Sequence, residues 1–238
     1  MKLNRLIAKH QSLGRSAAQR RIAAGNVRVD GTRVTDGQYE VDRFQHVELA
    51  DETVQTPERR LCLILHKPAG ILSATADPVH PTVIDLIDDP DKHTLHLVGR
   101  LDRATTGLML LTNDGRWSKT LMAPERKVEK SYLVTTRDPI SASAVEDFRR
   151  GFYFHTEDLT TLPAGLEILS SHTARLILHE GRYHQVKRMF HRIRNQVIAL
   201  HRERIGNLTL PPDLAPGEWR ALTLEEIQNI RFSPNTPL

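Results

Sequence analysis

Asp102 stands between two guanidinium groups, Arg100 and Arg103, in the stretch GRLDRATTGLMLLTNDG that runs from residue 99 to residue 115. An opposite charge within about 4–6 Å typically lowers a carboxylate pKa by about 1–3 units, so such an acid stays ionised and acts only as an acceptor. It also lies on the link between two apolar runs, 95–98 and 107–112, where a rigid scaffold presents a side chain. Two readings fit these residues: a nucleophile, or an Arg–Asp pair that only steadies a turn, since structural pairs also perturb pKa values.

A second group of chemical interest lies at 183–195. Val186, Met189, Phe190 and Ile193 recur at i, i+3, i+4 and i+7, so one helical stripe packs inward while Arg188 and Arg192 point away. Lys187 falls at the border of that stripe. Its ammonium either reaches a partly buried site or snorkels to solvent, and spacing leaves both open. Metal chemistry is poorly supplied: among the twelve histidines, His184, His191 and His201 lie near many cations and lack ligand spacing, which favours RNA or surface contacts. There is no phosphate-cradling P-loop, no dinucleotide fingerprint around Gly99 and Gly107, and no Gly-x-Ser-x-Gly elbow, so neither a cofactor nor a serine hydrolase is expected.

The elements that must carry these groups read as α+β. Leu3, Leu6 and Ile7 open a helix, Ser16 and Gln19 form a capping-box pattern for a second one that stops at Gly25-Asn26, and Asp30-Gly31 makes a tight turn between Val27–Val29 and Val34. This small helix-helix-hairpin unit is expected over 1–55, with Arg15, Arg20, Arg21, Arg28 and Arg33 on one face able to meet phosphates. The polar stretch ADETVQTPERR, residues 50–60, is read as the junction, and 56–238 as a larger domain. In that domain strands are predicted at 61–66, 95–98, 107–112, 131–136, 174–179 and 196–201, and helices at about 115–122, 143–150, 183–195 and 223–231. The order is not a repeating βαβ chain, so a mixed, mainly antiparallel sheet is expected.

Charge distribution suggests the partner. Residues 1–35 hold eight Lys or Arg against Asp30 alone, and residues 181–204 hold seven against Glu203 alone. Single-sign clusters on a chain with pI near 9.4 favour a polyanion, most simply nucleic acid. No apolar run approaches the ~20 residues that span a bilayer, and the N-terminal residues lack a signal-peptide core. Cys62 is the one cysteine and reads as a small core residue. A cytoplasmic protein without a membrane partner is expected.

With these residues in view, the chain resembles a known family. His66-Lys67-Pro68-Ala69-Gly70, Gly99-Arg100-Leu101-Asp102 with Thr106-Gly107-Leu108, Lys130-Ser131-Tyr132, and EGRYHQVKRM at 180–189 look like the ordered motifs of pseudouridine synthases. The N-terminal unit resembles an S4 RNA-binding domain. DPVHPTV, EGRYHQVKRMF and LHRERIG look like the RsuA branch, the ribosomal small-subunit enzymes. The resemblance implies that Asp102 is the catalytic aspartate, that Tyr132 packs against the target base, and that Lys187 is the basic partner of Asp102. It further implies that Arg100 helps hold the RNA open around an extruded nucleotide, that Lys67 supports the site or the RNA backbone, and that Arg188 adds to the RNA-binding face. The expected reaction turns a uridine of 16S ribosomal RNA, uridine 516 by resemblance, or of a small-subunit precursor particle, into pseudouridine without a cofactor. The rivals are a 23S substrate and a non-enzymatic assembly factor. Attack on C1′, attack on C6 and assisted loss of uracil all remain open, and a monomer is expected. Arg103-Ala104 departs from the pattern by adding a cation that tunes RNA grip.

Overall fold

The computed structural model describes residues 1–12 and 14–230, and these fall into two compact units, Met1–Arg60 and Leu61–Leu238. In the first, α1 (Leu3–His10) and α2 (Arg15–Ala23) pack with strands β1 (Val27–Val29), β2 (Thr32–Arg33), β3 (Val47–Leu49) and β4 (Glu52–Gln55). Leu3, Ile7, Ala18, Ile22, Val27, Val29 and Val47 form its buried core. Asp30 and Gly31 both take positive φ, at 48° and 76°, as a primed turn between β1 and β2 requires.

Two sequence expectations change here. The hairpin is half of a four-stranded sheet in the order β2-β1-β3-β4, and β4 lies inside the stretch read as a polar junction. The compact unit runs to Arg60, the end of the stretch read as the junction. The capping box is also absent: the cap of α2 is Gly14 with no side-chain bond, and Ser16 lies inside the helix. The helix starts at Arg15, ahead of the expected cap.

The second unit is built on a nine-stranded sheet. Its strands and helices run β5 (Cys62–Lys67), β6 (His96–Val98), β7 (Thr106–Thr112), α3 (Gly115–Met122), β8 (Lys130–Thr136), α4 (Ala144–Arg150), β9 (Tyr153–Phe154), β10 (Leu159–Thr160), β11 (Gly165–Ser170), β12 (Thr173–Leu178), α5 (Gln185–Arg192), β13 (Val197–Ile205), β14 (Leu208–Thr209), β15 (Trp219–Ala221) and α6 (Leu224–Asn229). The main path is β11-β12-β8-β13-β7-β5-β15, while β14 pairs with β13, β6 with β7, and β9 with β10 in a separate ribbon. Among the described strands, only β13 and β7 pair in parallel, and over two residues: His201 opposite Thr106 and Arg202 opposite Gly107.

Side-chain alternation divides the core between the faces of this sheet. Leu63, Leu65, Met109, Leu111, Tyr132, Val134 and Leu176 share one cluster with Phe148 of α4 and with Val186, Met189 and Phe190 of α5. Cys62, Ile64, Leu108 and Leu110 share the other with Leu121 of α3. The predicted inward stripe of α5 is therefore buried as its period required. The helix is shorter than 183–195, because His184 takes a left-handed conformation before it and Ile193 ends it. Thr223 and Glu226 complete a reciprocal capping box on α6, whose expected last position, 231, lies outside the described residues.

Candidate active site

Asp102 is half-buried on the loop between β6 and β7, and both of its oxygens face basic groups of the α5 segment. Lys187 Nζ donates to Oδ2 at 2.7 Å, and His184 Nε2 lies 3.5 Å from Oδ1. This corrects the reading of an acid paired with its sequence neighbours. Arg100 is exposed, and Arg103 turns its Nε onto the Gly70 carbonyl at 3.0 Å, so neither pairs with Asp102 among the described residues. The loop bends the guanidinium groups outward and leaves the carboxylate facing the helix.

Backbone hydrogen bonds give the loop its shape. Gly99 takes φ +83°, a conformation that glycine adopts without strain. Ser73 Oγ donates to the Leu101 carbonyl at 2.6 Å and accepts from the Leu101 amide at 3.1 Å. The Gly70 amide donates to the Arg103 carbonyl at 2.8 Å, and the Thr105 amide to the Asp102 carbonyl at 3.0 Å.

Lys67 holds the loop from beneath. Its side chain is 0% exposed, and Nζ donates to the carbonyls of Pro68, Arg103 and Thr105 at 2.9, 3.2 and 2.9 Å. All three ammonium protons are used inside the protein, so no phosphate can reach them. Burial lowers its pKa from the ordinary 10.5 to about 8, with the charge of Asp102 acting in the opposite direction.

The α5 segment is fastened in the same way. Buried Gln185 donates to Glu180 Oε1 at 2.7 Å and accepts from the Arg182 amide at 3.0 Å. His184, at φ 50°, stacks its ring on Tyr183 with centroids 3.9 Å apart. Arg188 is largely occupied as well: Nη1 donates to Glu157 at 2.6 Å, Nη2 to Thr156 at 3.1 Å, and the guanidinium lies 3.6 Å over the Phe154 ring. It braces the chain that follows β9. A cavity of about 600 Å³ opens between these pieces, lined by Tyr153, His155, His184, Lys187 and His191 among others. It shares two residues with the Asp102 cluster.

Tyr132 lies on the α5-facing side of the sheet and is 7% exposed, and its hydroxyl has no hydrogen-bond partner among the described residues. In the first unit, Arg15, Arg20, Arg21, Arg28 and Arg33 are all exposed. Arg21 touches Gln11 and Arg28 the Gly31 carbonyl, at 3.2 and 3.3 Å on the surface. His184 was missed as a partner of Asp102 because a histidine beside cations reads as a surface group. Its position three residues before Lys187, within the helix predicted at 183–195, was the available signal. Among the described residues no three His, Cys, Asp or Glu side chains gather into a cation-holding group, and no helix is long and apolar enough to cross a membrane.

The chain thus joins a small unit with exposed arginines to a mixed sheet whose β6–β7 loop presents a doubly contacted aspartate. Comparison with known proteins gives its family. Residues 61–192 match the family described as RNA pseudouridylate synthase, and residues 1–47 match the S4 domain. The chain is 50% identical over 230 residues to the ribosomal small subunit pseudouridine synthase A of Pseudomonas aeruginosa, covering 97% of this chain and 100% of that protein. It is 42% identical to the protein of the same name from Escherichia coli K12, with the same coverage. A crystal structure of a pseudouridylate synthase superimposes with a TM-score of 0.71 at 38% identity, covering 97% of this chain and 99% of that one. The chain belongs to the RNA pseudouridylate synthase family, isomerases that convert uridine in RNA to pseudouridine.

Proposed function

We propose that this protein isomerises a uridine of 16S ribosomal RNA, in the small subunit or a late precursor particle, and that uridine 516 is the target. Full-length similarity to relatives named for the small subunit supports the substrate class. The observation that carries the chemistry is the pairing of Asp102 with Lys187 at 2.7 Å on a half-buried loop. The ammonium fixes the direction of the carboxylate, and an aimed carboxylate is what the isomerisation needs.

The N1–C1′ bond breaks, the detached uracil turns in place, and C5 joins C1′ while the C5 proton leaves and N1 takes up a proton; no electrons are gained or lost. Asp102 acts on C1′ or on C6 of the extruded nucleotide. Lys187 fixes its direction, Tyr132 packs against the base, and Arg100 grips the RNA beside the vacated stack. Arg15, Arg20, Arg21 and Arg28 hold phosphates of the RNA. The enzyme works as a monomer in the cytoplasm, where a reduced Cys62 is stable.

Tritium release from RNA labelled at uridine C5 tests this reading. Release from 16S RNA, and none from 23S or transfer RNA, is the expected result. Release from 23S RNA alone would move the substrate to the large subunit, and release from no RNA would remove the activity.

A further inference from the structure

Arg202 is a buried cation with too few partners. It is 2% exposed, and its one hydrogen bond runs from Nε to the Leu108 carbonyl at 2.8 Å. Its Nη2 is buried and has no hydrogen-bond partner among the described residues. Taking a guanidinium out of water costs several kcal/mol unless acceptors or a carboxylate replace the solvent. Among the described residues no acid forms an ion pair with it.

Its place in the sheet is specific. Arg202 is the Cα partner of Tyr132 on β8 and of Gly107 on β7. Two residues before it, Leu200 belongs to the cluster that holds Tyr132 and the buried face of α5, so by alternation Arg202 stands on that same face. Gly107 follows the Asp102 loop by two residues. Arg202 therefore lies on the floor between Tyr132 and the root of the loop that carries Asp102. The neighbouring cation does not compensate it: Lys130 Nζ is spent on the Val128 carbonyl, and the charge of Arg202 acts on Lys130 as a repulsion.

We propose that Arg202 is a catalytic residue that contacts the substrate, its guanidinium donating to a carbonyl oxygen of the uracil that packs against Tyr132. When the N1–C1′ bond breaks, its electron pair leaves with the base and spreads over N1, O2 and O4. C1′ is satisfied by Asp102 or by loss of the C2′ proton. The pair returns as C5 bonds to C1′, the Asp102–C1′ bond breaking or the proton returning to C2′, and the C5 proton is released as N1 takes one up. If Asp102 adds to C6 instead, the negative charge again gathers on O4. In either course a buried, unfilled donor strengthens as that charge develops, which is where a preorganised group accelerates a reaction.

The inference rests on the synthase activity and is independent of which ribosomal RNA is the substrate. The test uses transcripts that the wild-type enzyme converts, made with uridine, 2-thiouridine or 4-thiouridine, because sulfur is the weaker acceptor. Single-turnover rates are read by nucleoside mass spectrometry for the wild type, Arg202→Met and Arg202→Lys. With uridine RNA, Arg202→Met is expected to slow the chemical step about 10²–10³-fold, the cost of removing one such donor, with RNA affinity changed less than about threefold. One thio substitution is expected to slow the wild type about tenfold and the Met variant hardly at all, and that non-additivity identifies the contact. Arg202→Lys keeps a cation in the same strand and serves as the reporter if the Met variant has a lowered melting temperature. Additive slowing by both sulfur substitutions, or an unchanged rate in a folded variant, would overturn the proposal. Failure of the wild type on every unmodified RNA would instead count against the activity itself.

Discussion

Lys187 and Asp102 stand 85 residues apart in the chain and 2.7 Å apart in space. The contact joins a loop anchored by Lys67 and Ser73 to a helix anchored by Gln185, so two separately braced elements meet at one carboxylate. Removing either partner leaves the rest of the frame in place. Asp102→Asn is therefore expected to lower turnover by about 10⁴-fold or more, the order found when a nucleophile is removed, with RNA affinity nearly unchanged. Tritium release and filter binding on the same preparations measure both, and appreciable turnover in the Asn variant would remove Asp102 as the reacting group.

His184 and Lys187 are expected to differ in what they do for that acid. Lys187→Met is expected to cost about 10²-fold in the single-turnover rate, with partial recovery in Lys187→Arg. His184→Asn, which removes the longer contact of 3.5 Å, is expected to cost less than tenfold. Equal effects of the two would show that the acid depends on both partners alike.

Alkaline pH is expected to affect rate and stability in opposite directions. Burial brings Lys67 to about 8, and burial together with the charge of Arg202 brings Lys130 to about 8. Raising the pH through 8 discharges both, weakening the positive floor, so the single-turnover rate falls there. In the unfolded chain the same lysines titrate near 10.4. Between about 8 and 10.4 the unfolded state therefore binds more protons than the folded one, and the contribution of these two groups to stability rises with pH. Urea titrations of the wild type and Lys130→Met across that window check the sign: the variant is expected to show a smaller rise.

In the S4 unit, Arg20 and Arg21 are exposed on α2. Replacing both by Gln is expected to flatten the plot of log affinity against log salt by roughly 0.7–0.9 for each phosphate that these side chains neutralise in the wild type. The turnover of bound RNA is expected to stay the same. An unchanged slope would mean that the RNA follows another path.

Gly107, at φ +109°, packs so closely on Arg202 that a methyl group would overlap its backbone nitrogen and carbonyl oxygen. Gly107→Ala is expected to destabilise the second unit by about 2–4 kcal/mol, strain and overpacking together, read as a lowered urea midpoint. A midpoint equal to that of the wild type would show that β7 and β13 separate at little cost.

The strands of the central sheet were legible because their apolar runs are long, as in Cys62–Lys67 and Thr106–Thr112. Short or polar ones were not: β4, β9, β10, β14 and β15 span two to four residues, and their pairing depends on neighbours that no local pattern reveals. β11 was missed because only Leu166 in it is fully buried. In the site, Asp102 and Lys187 could be named from their motifs, but the partners of a charge depend on loop direction. Arg100 and Arg103 are close in sequence and turn away, whereas His184 is distant and turns in. Lys67 reads in the sequence as a support of the site or of the RNA backbone, and only the fold shows that three carbonyls occupy it.

The grip of Lys67 on main-chain oxygens of Arg103 and Thr105 has a consequence for how this enzyme can change. A clamp that reads carbonyls is indifferent to the side chains mounted on them. Arg103 and Ala104 are exposed, so substitutions at these positions can alter affinity for different RNA contexts while the acid beside them keeps its aim. Selectivity and catalytic geometry are thus separately inherited by neighbouring residues of a single loop.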